Sequence, residues 1–208
     1  MTFSNYADFR NKVQVLLDGD DISTSELSVD VLDVIIGVGE QRIYRELHAS
    51  CQDTSTTLAI TSNVATLPSD FIELRGAPYV STFGVAIYAP WEAVQNQIQL
   101  GANSAVAPVY YTFQGDTMIF YPLLGTGVSV AIQYYKKFTD IATGGLNALF
   151  NRHPDVFLYA ALSASGPVLG ETTRTGIWES IYTGVMDAAK EQELRRVTRG
   201  SKLQTRLA

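Results

Sequence analysis

Catalysis needs a nucleophile, a base or a metal, and this chain offers few candidates: two histidines and one cysteine among 208 residues. His48 ends an amphipathic stretch, and His153 immediately precedes Pro154, where a helix-capping role accounts for it better than proton transfer. No pair of histidines has metal-ligand spacing, and Cys51 has neither a second cysteine nor a glycine-flanked context, so it reads as a buried or junction thiol. A single cysteine also excludes an internal disulfide, which fits a reducing cytoplasm. No Gly-x-Ser-x-Gly elbow is present. Asp30 and Asp33 share a helix face, but one carboxylate pair does not establish separate acid and base roles. Gly37-Val38-Gly39 lies inside a helical pattern without the third glycine of a dinucleotide fingerprint, so close helix contact explains it better. Gly125-Thr126-Gly127 lacks the Gly-Lys-Ser/Thr ending that cradles phosphate, and Asp18-Gly19-Asp20-Asp21 lacks the distal ligands of a calcium loop. No catalytic, cofactor-binding or metal-ligating residue is therefore expected, and a binding or structural role ranks above an enzyme. A hydrolase using His153 with Asp155 ranks last.

Charge is distributed more informatively. Residues 190–208 hold six of the fifteen basic residues (Lys190, Arg195, Arg196, Arg199, Lys202, Arg206) and two of the twenty-one acids, so a chain of net charge −6 ends in a segment of +4. A body of −10 offers no sustained basic surface for phosphate, which argues against general nucleic-acid binding. Beyond Val197 the apolar period fades, and residues 199–208 read as a flexible basic tail: a frayed terminus, or an arm that orders on a partner. No secretion signal opens the chain, and the longest uncharged apolar segment, 156–170, is too short and too interrupted to cross a bilayer about 30 Å thick.

The elements that would position these groups follow from periodicity. Residues 4–17 place Tyr6, Phe9, Val13, Leu16 and Leu17 on one helical face; residues 25–48 do the same with Leu27, Val31, Ile35, Gly39, Ile43 and Leu47. From Thr56 the chain turns to Thr, Val and Ile around a Ser62-Asn63 turn, which is strand composition. Gly115-Asp116 between two aromatic runs predicts a type II′ hairpin, and alternation over 128–135 predicts a half-buried strand. A short helix, or an excursion inside the sheet region, is expected over 91–100, which a proline precedes and a glycine follows. Helical periodicity returns at Pro154; residues 156–169 are apolar nearly all round, and Thr172 or Thr173 would cap a last helix striped with Ile177, Trp178, Ile181, Tyr182, Val185 and Ala189. The sequence thus predicts an α+β chain: a helical bundle from 1–50 and 138–198 enclosing an inserted antiparallel β-sandwich or barrel-like domain over 51–137, with 199–208 as tail.

Tyr134-Tyr135-Lys136-Lys137, then Asn147 and Leu149, then Pro154 to Leu162, a tryptophan-bearing helix and a basic Gly200-Ser201 tail together resemble the head-to-tail adaptor proteins of tailed phages, of the tubular or gatekeeper type found in short-tailed phages. Leu67-Pro68-Ser69-Asp70-Phe71 and the tyrosine-rich hairpin also fit, so the resemblance spans most of the chain. A tryptophan common near Leu149 is missing, and residues 164–168 replace an acidic-aromatic stretch. The resemblance implies a structural virion protein assembled in the host cytoplasm into a ring, commonly of twelve. It implies contacts with the portal protein and with a tail nozzle or fibre protein, a channel through which DNA passes without sequence-specific binding, and no membrane partner. On it, Arg195, Arg196, Arg199, Lys202 and Arg206 become the portal-binding candidates, because guanidinium and ammonium groups can pair with portal carboxylates. The alternatives are another neck or tail-completion protein, or a β-sandwich module presenting Tyr79, Tyr88, Tyr110, Tyr111 and Trp91 to carbohydrate or a host surface.

Overall fold

The protein is described by a computed structural model over residues 2–18, 28–99, 108–125, 127–170 and 172–198. It is an α+β chain that divides into two compact units, Met1–Cys51 together with Phe138–Ala208, and Gln52–Lys137.

The first unit is helical among its described residues. It contains α1 (Tyr6–Asp18), α2 (Val29–Glu46), α4 (Ile141–Gly144), α5 (Ala148–Arg152), α6 (Pro154–Ala164), α7 (Gly166–Leu169) and α8 (Thr172–Thr198), while α3 (Trp91–Gln99) belongs to the other unit. Helix α2 starts where Ser28 accepts a hydrogen bond from the Val31 N–H, and α5 where Asn147 accepts from Phe150 N at 2.9 Å. Helix α6 is the centre: it packs against α1, α2, α5, α7 and α8, as a helix apolar on nearly every side must. The approach of α2 is set by Gly39, where a Cβ would stand 2.9 Å from backbone atoms of Ala160 and Ala161, whereas the space at Gly37 is open. Phe3, Phe9, Phe150 and Phe157 form a cluster of edge-on and tilted rings at centroid distances of 4.9 to 5.5 Å, which closes the α1–α5–α6 side.

Three details differ from the periodicity reading. The apolar run after Pro154 is two helices, because the chain leaves α6 at Ser165, whose hydroxyl donates to Leu162 O at 2.7 Å, and Pro167 starts a new turn in α7. The stripe expected on α8 is split between faces: Tyr182, Met186 and Ala189 are buried, while Ile177 and Ile181 are exposed. Leu16 of α1 is likewise exposed while Phe9, Val13 and Leu17 are buried. Leu27, Thr126 and the Gly19-Asp20-Asp21 turn lie outside the described residues.

The second unit holds the strands and α3, the helix expected before residue 100. The strands are β1 (Asp53–Ala59), β2 (Val64–Thr66), β3 (Phe71–Leu74), β4 (Tyr79–Val80), β5 (Gly84–Val85), β6 (Ile87–Tyr88), β7 (Tyr110–Gln114), β8 (Thr117–Tyr121) and β9 (Ser129–Lys136). They form two sheets, β1-β9-β4-β5 with β3 also on β9, and β2-β8-β7-β6. The pairing is not wholly antiparallel, since β6 runs parallel to β7; this corrects the all-antiparallel expectation, because α3 lies between the two strands in the chain and a parallel pair needs such a crossover rather than a tight turn. Two hairpins are local in origin. Gly115 at φ +55° with a non-positive φ at Asp116 joins β7 to β8 as a type II′ turn requires, and Ser62 and Asn63, at φ +50° and +67°, make a turn with positive φ at both centres. Inward residues of both sheets, among them Ala65, Val80, Met118, Phe120, Val130 and Ile132, share one core.

Candidate docking site at the cationic end of the last helix

Helix α8 reaches its C-terminus through Glu191, Glu193, Arg195 and Arg196. Two arginines in its final turn complement the partial negative charge of unpaired carbonyls, and Glu191 pairs with Arg195 one turn on. Arg195 and Arg196 are exposed, with side-chain accessibilities of 68% and 45%.

Glu193 faces the other way and is buried at 3% exposure. Lys190, Glu191 and Gln192 beside it are exposed; this carboxylate is not, because it lies on the same face as Tyr182, Met186 and Ala189. Its oxygens accept the Ser50 N–H at 2.9 Å and the Arg152 guanidinium at 3.3 Å, stand 3.3 Å from His153 Nε2, and have Arg196 at 3.7 Å. Burial pushes the Glu193 pKa up. Hydrogen bonds from the Ser50 backbone and side chain and from His153, with the Arg152 charge, outweigh it and hold the carboxyl below the ordinary range. Arg152 also donates to Ser50 Oγ at 2.8 Å. One carboxylate therefore fastens the end of α8 to the α5–α6 corner and to the chain at Ser50. A single sequence signal could have found it: Glu193 continues the 182, 186, 189 spacing of the buried face.

A second network ties α2 to α8. Arg42 donates to both oxygens of Glu179 at 2.6 and 2.8 Å, to Glu46 at 2.7 Å, and lies 4.1 Å over the Tyr182 ring. The Glu179 hydrogen bonds keep this guanidinium protonated beyond even its ordinary range and lower the Glu179 pKa. A third carboxylate, the buried Glu40, accepts from Ile141 N at 3.1 Å and so fixes the chain where it re-enters the helical unit.

The sequence candidates fall out as follows. Arg195 and Arg196 stand together on the exposed end of α8, while Arg199, Lys202 and Arg206 lie outside the described residues. His153 is buried between α5 and α6 and makes no side-chain cap; its ring faces Glu193, whereas the Asp155 carboxylate accepts from Val156 N at 3.0 Å. The His153–Asp155 pair that a hydrolase would need is not made. Asp33 of the Asp30/Asp33 pair accepts from Tyr6 Oη at 2.6 Å and lies 3.6 Å from Arg10. Cys51 is half-buried, and burial pushes its thiol pKa up despite the pull of Arg152, which makes it a poor nucleophile. The aromatic residues proposed as a recognition face are divided: Tyr79 and Tyr88 are exposed, Trp91 and Tyr110 are half-buried, and Tyr111 belongs to the β core. Among the described residues no group of three or more His, Cys, Asp or Glu is placed to hold a metal ion, and no helix is long and apolar enough to cross a membrane.

Helix α8 is thus anchored by a buried carboxylate and ends in exposed guanidinium groups. The chain matches the SU10 adaptor protein family over residues 4–206 and belongs to it; this is a family of phage head-to-tail adaptors, structural components of the virion. No curated protein matches the chain.

Proposed function

We propose that this protein joins the portal to the tail nozzle or fibres and contributes to the DNA channel, docking on the portal through Arg195, Arg196, Arg199, Lys202 and Arg206. The observation that carries this reading is the charge division along the chain, +4 in residues 190–208 against −10 elsewhere, with the first two of those arginines exposed on α8. Portal carboxylates are the complementary surface, and guanidinium groups offer them bidentate hydrogen bonds. The helical unit serves as the assembly body, copies of it forming a ring, commonly of twelve, and the inserted β unit serves as the contact for the next tail component. A net acidic body around a channel repels phosphate, so DNA passes without being held. Function on this reading is geometry and affinity, with no chemical step.

Deleting residues 200–208 tests it. The truncated protein, which lacks Lys202 and Arg206, should keep its melting temperature and helical circular dichroism yet bind purified portal more weakly. Unchanged portal binding would remove the tail from the interface.

A further inference from the structure

In the β unit, β1 ends its sheet, and its outer side is open. Its ladder with β9 runs from Asp53 opposite Tyr135 to Ala59 opposite Ser129 without a shift. Ile60 N, next in that register, donates to Val128 O at 3.1 Å, so Thr54, Thr56 and Leu58 are the residues that exchange hydrogen bonds with β9. On the far side of β9, Ser129 O accepts from Ser81 N and Gln133 O from Arg75 N, each at 2.8 Å. The peptide groups opposite Ala59 and Ser55 are thus turned away from β1. The N–H and C=O groups of Ser55, Thr57 and Ala59 point outward, and among the described residues none of them has a partner.

Native sheets guard such an edge with lysine, proline, a bulge or a very short strand. At other sheet edges β2, β5 and β6 have three, two and two residues, but β1 has seven. Residues 54–59, Thr-Ser-Thr-Thr-Leu-Ala, carry no charge, proline or glycine and are rich in β-branched threonine, which suits a pleated strand. Beside them, between the edge strands β1 and β2 of the two sheets, lies a groove of about 430 Å³ lined by Thr57, Leu58, Ala59, Thr61, Val64 and Thr66.

A row of donors and acceptors at the two-residue repeat of a strand fits extended backbone. The groove narrows the choice. In β1 of a second copy, Thr54, Thr56 and Leu58 are already half-buried in that copy's own unit, which leaves no side chain to fill the groove. A segment not yet part of a sheet can turn every second side chain inward, over Leu58 and Val64.

We propose that β1 accepts an extended segment of a different protein as an added strand, hydrogen-bonded to Ser55, Thr57 and Ala59, with aliphatic side chains at alternate positions seated in the groove. This rests on the reading that the β unit meets the next tail component, and it names where and how.

Purified nozzle and fibre proteins of the same phage are the probes. Hydrogen exchange in the full-length protein should show the amides of Thr54, Thr56 and Leu58 slow with or without a probe, and those of Ser55, Thr57 and Ala59 slowed about tenfold or more once it binds. Unchanged exchange at Ser55, Thr57 and Ala59 in a formed complex would overturn the added strand. Thr57→Pro removes one outward N–H and none of the bonds to β9, a placement that an edge strand tolerates. It should weaken probe binding about tenfold or more with the melting temperature little changed, whereas Thr57→Val, which keeps the N–H, should bind as the unaltered chain does. Equal binding by Thr57→Pro would overturn the site while leaving a contact through the β unit in place. Self-association that Thr57→Pro abolishes, with probe binding intact, would give the edge to a second copy and overturn the different protein as its occupant. Binding of neither probe to the unaltered protein would overturn the reading of the β unit as the next contact, and the added strand with it.

Discussion

Glu193 is the residue on which most of the local architecture converges. A carboxylate at 3% exposure survives ionised because Ser50, Arg152 and His153 all supply donors, and removing it would leave those donors buried without an acceptor. Glu193→Ala should cost about 2–4 kcal/mol in chemical denaturation. Its pH signature has a definite sign. The folded-state pKa lies below the ordinary 4.5, so the stabilisation is fully present above pH 4.5 and drains away as pH falls through the lower folded value. Melting temperature measured downward from pH 5 should therefore fall less steeply for Glu193→Gln than for the unaltered protein. An equal slope in the two would show that other carboxylates account for acid sensitivity.

At the scale of elements, a few positions separate what the backbone requires from what a side chain adds. Gly39 is required by contact: its Cα faces the backbone of Ala160 and Ala161, so Gly39→Ala should lose about 1–2 kcal/mol even after the gain in helix propensity. Gly37, two residues earlier, has open space, and the same change there should raise stability by about 0.5–1 kcal/mol. Ser62 holds φ +50° in the turn between β1 and β2, a conformation that costs any residue with a Cβ. Ser62→Gly should stabilise the protein by about 0.5–1 kcal/mol. Its neighbour Asn63 uses its side-chain oxygen to accept from Leu124 N at 2.8 Å, so Asn63→Ala should lose about 1–2 kcal/mol. Urea denaturation of the four variants against the unaltered chain checks the set.

At the scale of the whole molecule, the charge division predicts how docking responds to salt. On the proposed docking of these basic residues against portal carboxylates, portal affinity should fall steeply as ionic strength rises, since the Debye length shortens from about 10 Å at 0.1 M to about 3 Å at 1 M. Truncation after Thr198 removes Arg199, Lys202 and Arg206 and should flatten that dependence. Portal binding titrated over salt for both chains checks it, and parallel curves would place the electrostatic contact elsewhere on the molecule.

The sequence alone determined whatever depends on local spacing and on composition. The hairpin at Gly115-Asp116, the short helix after Pro90, the helical spans around α1, α2 and α8, and the α+β class were all legible, because each follows from a period, a turn residue or a breaker within a few positions. The cationic end was legible too, since charge can be read directly from the sequence. Tertiary structure decided which side of each helix is inside. Ile177 and Tyr182 look alike in a stripe of apolar residues, and Glu191 and Glu193 look alike in a charged run, yet one of each pair is buried and the other exposed. The deciding fact is what stands opposite: Arg42 and Glu46 of α2 for Tyr182, and Ser50, Arg152 and His153 for Glu193, all from segments distant in the chain. Periodicity fixes the angle of a side chain around its own helix, but only the neighbours brought up by the fold determine whether that angle faces protein or water.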